Sequence, residues 1–210
     1  MSNTDSTPAP VQLAIFGPAA AHDISWLAQR RSVAVRRMGG PGPSEAEVTE
    51  ILSAALTAPD HGALRPWRVM RCSDAGKAHL AELFVAAKLR ARPDANEVEL
   101  SRERDKAQKP PVLLAMLAVP VEATGEITEA EQIACAGAAM QSILLAAFGL
   151  GYGAIILSGS RCVDPAVRRA FGLTSDKHHL LGFISIGTVV DTPLASRRPS
   201  LEEVTGVYNG

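Results

Sequence analysis

The sequence predicts an α+β fold, a small central sheet flanked by helices. Segments with apolar residues at helical spacing are mixed with short apolar runs of strand length, and the first clear elements are helices. The strand-like runs are too unevenly spaced for a regular βαβ series, which leaves helices packed over a small sheet. A chain of 210 residues with 47% apolar content can build a real core, and with aromatics at only 4% that core must come from Ala, Leu, Val and Ile.

Residues 1–20 are expected to form a disordered tail. Their start is rich in Ser, Thr, Pro and Asn and lacks the basic start and apolar run of a signal peptide. Residues 21–210 are expected to form a single domain. A short helix is expected over 23–31, with Ile24 and Leu27 on one face. Ser44 and Glu47 have capping-box spacing, and Val48, Ile51, Leu52, Ala55 and Leu56 then recur at helical intervals until Pro59 closes the helix. Residues 67–72 read as a strand. Ser73 or Asp74 can cap a helix whose stripe is Leu80, Leu83, Phe84 and Ala87.

Residues 96–109 are highly charged and stop at Pro110 and Pro111, so an exposed helix with a solvated face of mixed charge is expected. Residues 112–119 are continuously apolar, as in a strand covered on both sides. Thr128 and Glu131 make a second capping-box pair, opening a long helix with only Gln141 and Ser142 as polar side chains between Ile133 and Leu150. Its Ala and Gly content, with no flanking basic cluster, favours a central buried helix over a membrane span. A short strand over 154–157 follows. Asp164 and Pro165 supply an N-cap and first-turn pair for a helix that Gly172 can end. The last strand is expected over 180–190, with an irregular tail after Pro193.

Several function classes lose ground on these residues. A net charge of −1 gives no general affinity for nucleic acid or anionic membrane. Cys72, Cys135 and Cys162 form no CxxC pair and read as free thiols, which points to a reducing, cytoplasmic setting. No GxGxxG follows a strand and no P-loop is present. Gly149, Gly151 and Gly153 follow a helix and precede a strand, which suits a helix exit instead. His178 and His179 are adjacent and cannot share a helical face, so no metal site is expected. No nucleophile elbow surrounds a serine. An enzyme without a nucleophile or metal implies a bound organic cofactor, so no catalytic side chain is assigned.

Two clusters remain. Arg30-Arg31-Ser32, with Arg36-Arg37 beyond, suits a phosphate because guanidinium groups offer a fixed fork of donors. A basic helix C-terminus offsetting the macrodipole explains the same residues. Residues 58–67 place two prolines, a glycine and Asp60-His61 between a capped helix and a strand. This is either a binding loop or a rigid connection anchored by Trp67.

In this order and spacing the two clusters resemble the nitroreductase family, in particular its short bacterial branch. The resemblance extends to the alternating glycines, to Ser158-Gly159 and to Ile186-Gly187-Thr188, and spans about Ile24 to Val190. It implies an interlocked homodimer with nitroreductase-like fold, FMN at two sites on the subunit interface, and NADH or NADPH as co-substrate. Nitroaromatics, quinones or similar small molecules would be reduced in a ping-pong cycle. Arg30 and Ser32, with Arg31 beside them, would hold the FMN phosphate and ribityl chain. Thr57 and His61 would reach the flavin of the partner, Ile156, Leu157 and Ser158 would line the ring, and residues 146–151 would receive the nicotinamide cofactor. Other short-branch members carry Trp and Arg where this chain has Ile156 and Leu157, and many members place a basic residue shortly after the serine, where this chain has Val33, Ala34 and Val35. A compensating cation is therefore expected after the final strand, Arg198 or else Arg197, beside Arg30. The alternative is a non-catalytic or specialised flavin-binding dimer on the same scaffold.

Overall fold

A computed structural model describes residues 24–122, 126–191 and 198–210. The expected tail over 1–20 lies outside them, as does Arg197. Seven helices and five strands are defined among the described residues. The helices are α1 (Ser25–Gln29), α2 (Glu45–Ser53), α3 (Asp74–Ala91), α4 (Glu97–Gln108), α5 (Glu129–Gly149), α6 (Ser160–Val163) and α7 (Pro165–Ala170). The strands are β1 (Met38–Gly39), β2 (Trp67–Arg71), β3 (Val112–Ala118), β4 (Gly153–Leu157) and β5 (His179–Val189).

The strands form one antiparallel sheet organised around β5, which pairs with β1, β3 and β4, while β2 pairs with β3. Every residue of β3 is buried. Its side chains divide with the two-residue period of a strand: Leu114 and Met116 enter one apolar cluster, Leu113, Ala115 and Leu117 the other. The first cluster is closed by Val48 and Ile51 of α2 and by Ala136, Ala139 and Ile143 of α5. The second is closed by Leu80 and Phe84 of α3, Ala107 of α4 and Val167 of α7. Phe84 meets Phe183 of β5 edge-on with ring centroids 4.8 Å apart. The sheet is thus covered on both faces, as the unbroken apolar run of β3 predicts.

α5 is long and apolar enough to cross a membrane. It packs on the sheet through Ala136, Ala139, Ile143, Leu144 and Ala147, the pattern of a core helix.

Local start signals work as expected at Ser44, where both halves of the capping box form, and at Asp164, which accepts from the Ala166 and Val167 amides with Pro165 in the first turn. Thr128 accepts from the Glu131 amide, but the reciprocal half is not formed: the Glu131 carboxylate pairs with His61 instead. The two-residue β1 and the single turn of α6 were not anticipated. The first helix is shorter than expected, so Arg30 stands at its C-cap. α2 stops at Ser53, and a 3-10 turn over Ala54–Thr57 carries the chain toward Pro59.

The charged helix needs correction. α4 is not simply solvated: Glu103 is buried, Ala107 is fully enclosed, and several of its cations face a cavity described below. The physical reason is tertiary. Buried Arg161 offers Glu103 a partner, with Nη2 2.5 Å from Oε2.

Candidate active site

Arg30 ends α1, and Ser32 bridges to Ala154 of β4 in a short parallel contact, with the Val33 amide donating to the Ala154 carbonyl at 3.0 Å. This crossing is possible because residue 153 is glycine. A Cβ there would lie 3.0 Å from the Val33 Cβ and 2.8 Å from Val189. Gly151 takes φ +85° at the exit from α5, a conformation that favours glycine. The glycine run therefore combines a helix exit with a site of close backbone approach.

Three arginines converge where α1 ends. The Arg198 Nη2 donates to the Arg30 carbonyl at 2.5 Å, and Arg31 donates to the Arg30 carbonyl at 3.1 Å and to the Ala28 carbonyl. Burial, and then the charges of Arg198 and Arg31, push the Arg30 guanidinium below its ordinary value. Arg31 and Arg198 do offset helix-end carbonyls, the plainer explanation for basic residues at this position. Yet that contact leaves three positive charges in one place, an arrangement that an anion would relieve.

Beyond Ser32 the chain enters a cavity of about 570 Å³. Ala34, Val35, Ile155 and Leu157 supply its apolar lining. Arg36 and four residues around the end of α4, Arg102, Asp105, Lys106 and Lys109, supply the charged lining. Arg102, Lys106 and Lys109 follow at intervals of four and three, which places them along one helical face. That periodicity was readable in the sequence; the facing strand was not. Leu157 and Ile155 share the cavity, whereas Ile156 packs into the cluster beneath α5. Of the three expected ring-lining residues, Ile156 and Leu157 thus point to opposite sides of the sheet. Ser158 is exposed, and its carbonyl accepts from Arg161 Nη1 at 2.5 Å.

Thr57 belongs to a second, open groove with Trp26, Ala146, Gly149 and Leu150. This joins the expected partner-facing threonine to the segment expected to receive the nicotinamide cofactor. Trp26 and Phe148 lie nearly parallel, at 10°, with centroids 6.1 Å apart. His61 stands elsewhere, exposed on its loop, with Nδ1 2.7 Å from Glu131 Oε1. That hydrogen bond holds the Glu131 carboxyl below the usual carboxylate range. The loop itself is tightly fixed. Asp60 accepts from the Leu64 and Arg65 amides at 3.1 and 2.9 Å, and Ala63 and Arg65 are held at positive φ.

A sequence profile described as the nitroreductase family matches residues 27–188. The chain belongs to the nitroreductase family. YdjA of Escherichia coli K12, which carries a provisional NAD(P)H nitroreductase name, is 28% identical over 165 residues, covering 79% of this chain and 87% of its own. A nitroreductase-like family protein from Bacillus cereus superposes with a TM-score of 0.69 at 22% identity, covering 89% of this chain and 95% of that one. The NADPH:FMN oxidoreductase of Vibrio harveyi, solved with NAD+, gives 0.67 at 17% identity, covering 88% and 76% respectively. The expected nitroreductase-like α+β fold is the observed one.

Proposed function

We propose that this nitroreductase-family chain is an FMN-dependent flavoenzyme that oxidises NAD(P)H and passes the hydride to a small acceptor such as a nitroaromatic or quinone in a ping-pong cycle. The observation that carries this reading is the cluster of Arg30, Arg31 and Arg198, followed along the same segment by a cavity with an apolar wall of Ala34, Val35, Ile155 and Leu157. An FMN phosphate needs fixed donors and a flavin ring needs apolar walls, and a cavity of about 570 Å³ is within the usual range for a bound cofactor. The residues present therefore fit the group.

The flavin supplies hydride acceptance and release when bound. The protein's part is placement. Arg30, Ser32 and Arg198 would hold the phosphate end, with Arg31 as a second layer that fixes the Arg30 carbonyl. Leu157 and Ser158 would border the ring, with Ile155 rather than Ile156 as the neighbour of Leu157 in the cavity. Residues 146–150, with Thr57, would shape the groove for the nicotinamide cofactor or for the partner's site.

A homodimer completes this reading. Ile24 and Leu56 expose 70% and 78% of their surface, and the closing segment exposes Leu201, Val204, Val207 and Tyr208. Apolar side chains laid out this way call for a covering surface, and a second copy supplies one together with Thr57 and His61.

The purified protein should be yellow, and anaerobic NADPH or NADH should bleach it, with a quinone restoring the colour. Initial rates against both substrates should give parallel reciprocal lines. A colourless protein that FMN does not reconstitute overturns the proposal.

A further inference from the structure

We propose that Arg36 and Arg102 make the cavity selective for acceptors that carry a carboxylate or comparable anionic group on their reducible ring. This rests on the reading that flavin turnover takes place in this cavity. The cavity carries four cations and one acid, and the cations are not equivalent. Lys106 lies 2.5 Å from Glu103, which it shares with Arg161, and Lys109 lies 2.8 Å from Asp105, so each has a carboxylate partner. Arg36 and Arg102 have no ion-pair or hydrogen-bond partner among the described residues, although both line the cavity.

Their neighbours sharpen the contrast. Arg37, next to Arg36, is tied to Asp191 at 2.9 Å, and Arg104, two residues beyond Arg102, is tied to Glu97 at 2.7 Å. In each pair one arginine is ion-paired, and the other is exposed, lines the cavity and is not. The two unmatched arginines come from separate segments, the 3-10 turn Val35–Arg37 and α4, so tertiary packing brings them to one place. They are also surplus to the phosphate. Arg30, Arg31 and Arg198 form their own cluster, and none of them lines this cavity. A neutral acceptor stacked on a flavin that Ile155 and Leu157 border needs no such charge. An aromatic acid does: its ring suits the flavin face, and its carboxylate suits a planar guanidinium fork.

The test compares 4-nitrobenzoate with neutral 4-nitrobenzamide on the FMN-loaded protein. The ratio of their kcat/KM values should favour the benzoate by at least several-fold at low ionic strength and fall as salt is added. Arg36→Gln and Arg102→Gln should each lower that ratio about tenfold, through KM, as expected for one charge-assisted hydrogen bond. Redox-inert benzoate, titrated by its effect on the flavin spectrum, should bind correspondingly more weakly to both variants. A wild-type enzyme that does not distinguish the two acceptors overturns the proposal. So do variants that lose FMN affinity instead of benzoate affinity, which would assign these cations to the flavin. Failure of the wild type to take up FMN would overturn the flavin reading and this proposal together, whereas FMN uptake with charge-blind turnover overturns this proposal alone.

Discussion

Arg161 of α6 and Glu103 of α4 face each other with Nη2 and Oε2 2.5 Å apart, both side chains buried. Arg161 also binds the Ser158 carbonyl at the end of β4, and Glu103 holds Lys106, which lines the cavity. The pair therefore couples the strand end to the cavity wall. Burial works to raise the Glu103 carboxyl, but hydrogen bonds from Lys106 and Arg161 and their charges outweigh it and hold the group below the usual carboxylate range.

Glu103→Gln should cost about 3–5 kcal/mol, because it leaves a buried guanidinium without its counter-charge. Urea unfolding at pH 7 reads this directly, and a midpoint unchanged from wild type would show that the pair contributes nothing. Replacing both residues with apolar side chains of similar volume should recover much of the loss.

The same pair sets an acid limit. A carboxyl whose folded value is depressed contributes stability above its unfolded value, near 4.3, and that contribution disappears as pH falls through the lower folded value. Wild type should lose stability over that acid window more steeply than Glu103→Gln. Unfolding midpoints compared between pH 6 and pH 3 check the sign; parallel curves would remove Glu103 from the account.

Gly153→Ala should weaken FMN binding as well as stability. The new methyl would meet the side chains of Val33 and Val189, at 3.0 and 2.8 Å, and giving way at Val33 would disturb the segment that carries Ser32. Overpacking of this kind costs about 1–3 kcal/mol. Thermal unfolding and an FMN titration should both move; a stable variant with unchanged FMN affinity would show that the crossing at Ala154 does not position Ser32.

Much of the fold was legible because its signals are local. Ser44 with Glu47, Asp164 with Pro165 and the unbroken run of β3 each act within a few residues, and each does what its pattern predicts. The misreadings share one cause. Glu131 has capping-box spacing, but its carboxylate goes to His61, 70 residues away, and Glu103 sits in a charged helix because a partner 58 residues away accepts it. The site divides the same way. Arg30 and Arg31 were readable as a cluster, whereas Ile156 and Leu157 were placed together on the ring although the two-residue period of β4 sends them to opposite sides. That α4 would supply the cavity's cations depended on packing that no local pattern encodes.

His61 should act on the site of the partner subunit. Its loop is fixed by Asp60, and its imidazole lies at the first turn of α5, apart from the arginine cluster of its own chain. A mixed dimer of one Arg30→Ala subunit and one His61→Ala subunit should hold one intact site out of two. Isolated with two affinity tags, it should recover activity that both parent dimers lack. No recovery would place His61 in its own subunit's site or in a structural role only.

Arg198 should carry part of the FMN affinity. The phosphate brings close to two negative charges, and Leu157 offers it no donor. Arg198 has its guanidinium on the Arg30 carbonyl, and its charge adds to burial in lowering the Arg30 guanidinium. A phosphate at that spot would interact with both guanidinium groups and relieve their mutual repulsion. A charge-assisted hydrogen bond contributes about 1.5–3 kcal/mol, so Arg198→Ala should weaken FMN binding at least several-fold and up to about a hundredfold. The loss should be larger at low salt than at high salt, since a partly exposed charge is screened. Arg198→Lys should restore part of it, keeping the charge but losing the fork. Dissociation constants at two ionic strengths, with thermal unfolding as a control for the fold, decide the matter. Wild-type affinity in Arg198→Ala would leave the phosphate to Arg30, Ser32 and backbone amides, with Arg198 as no more than a cap on α1.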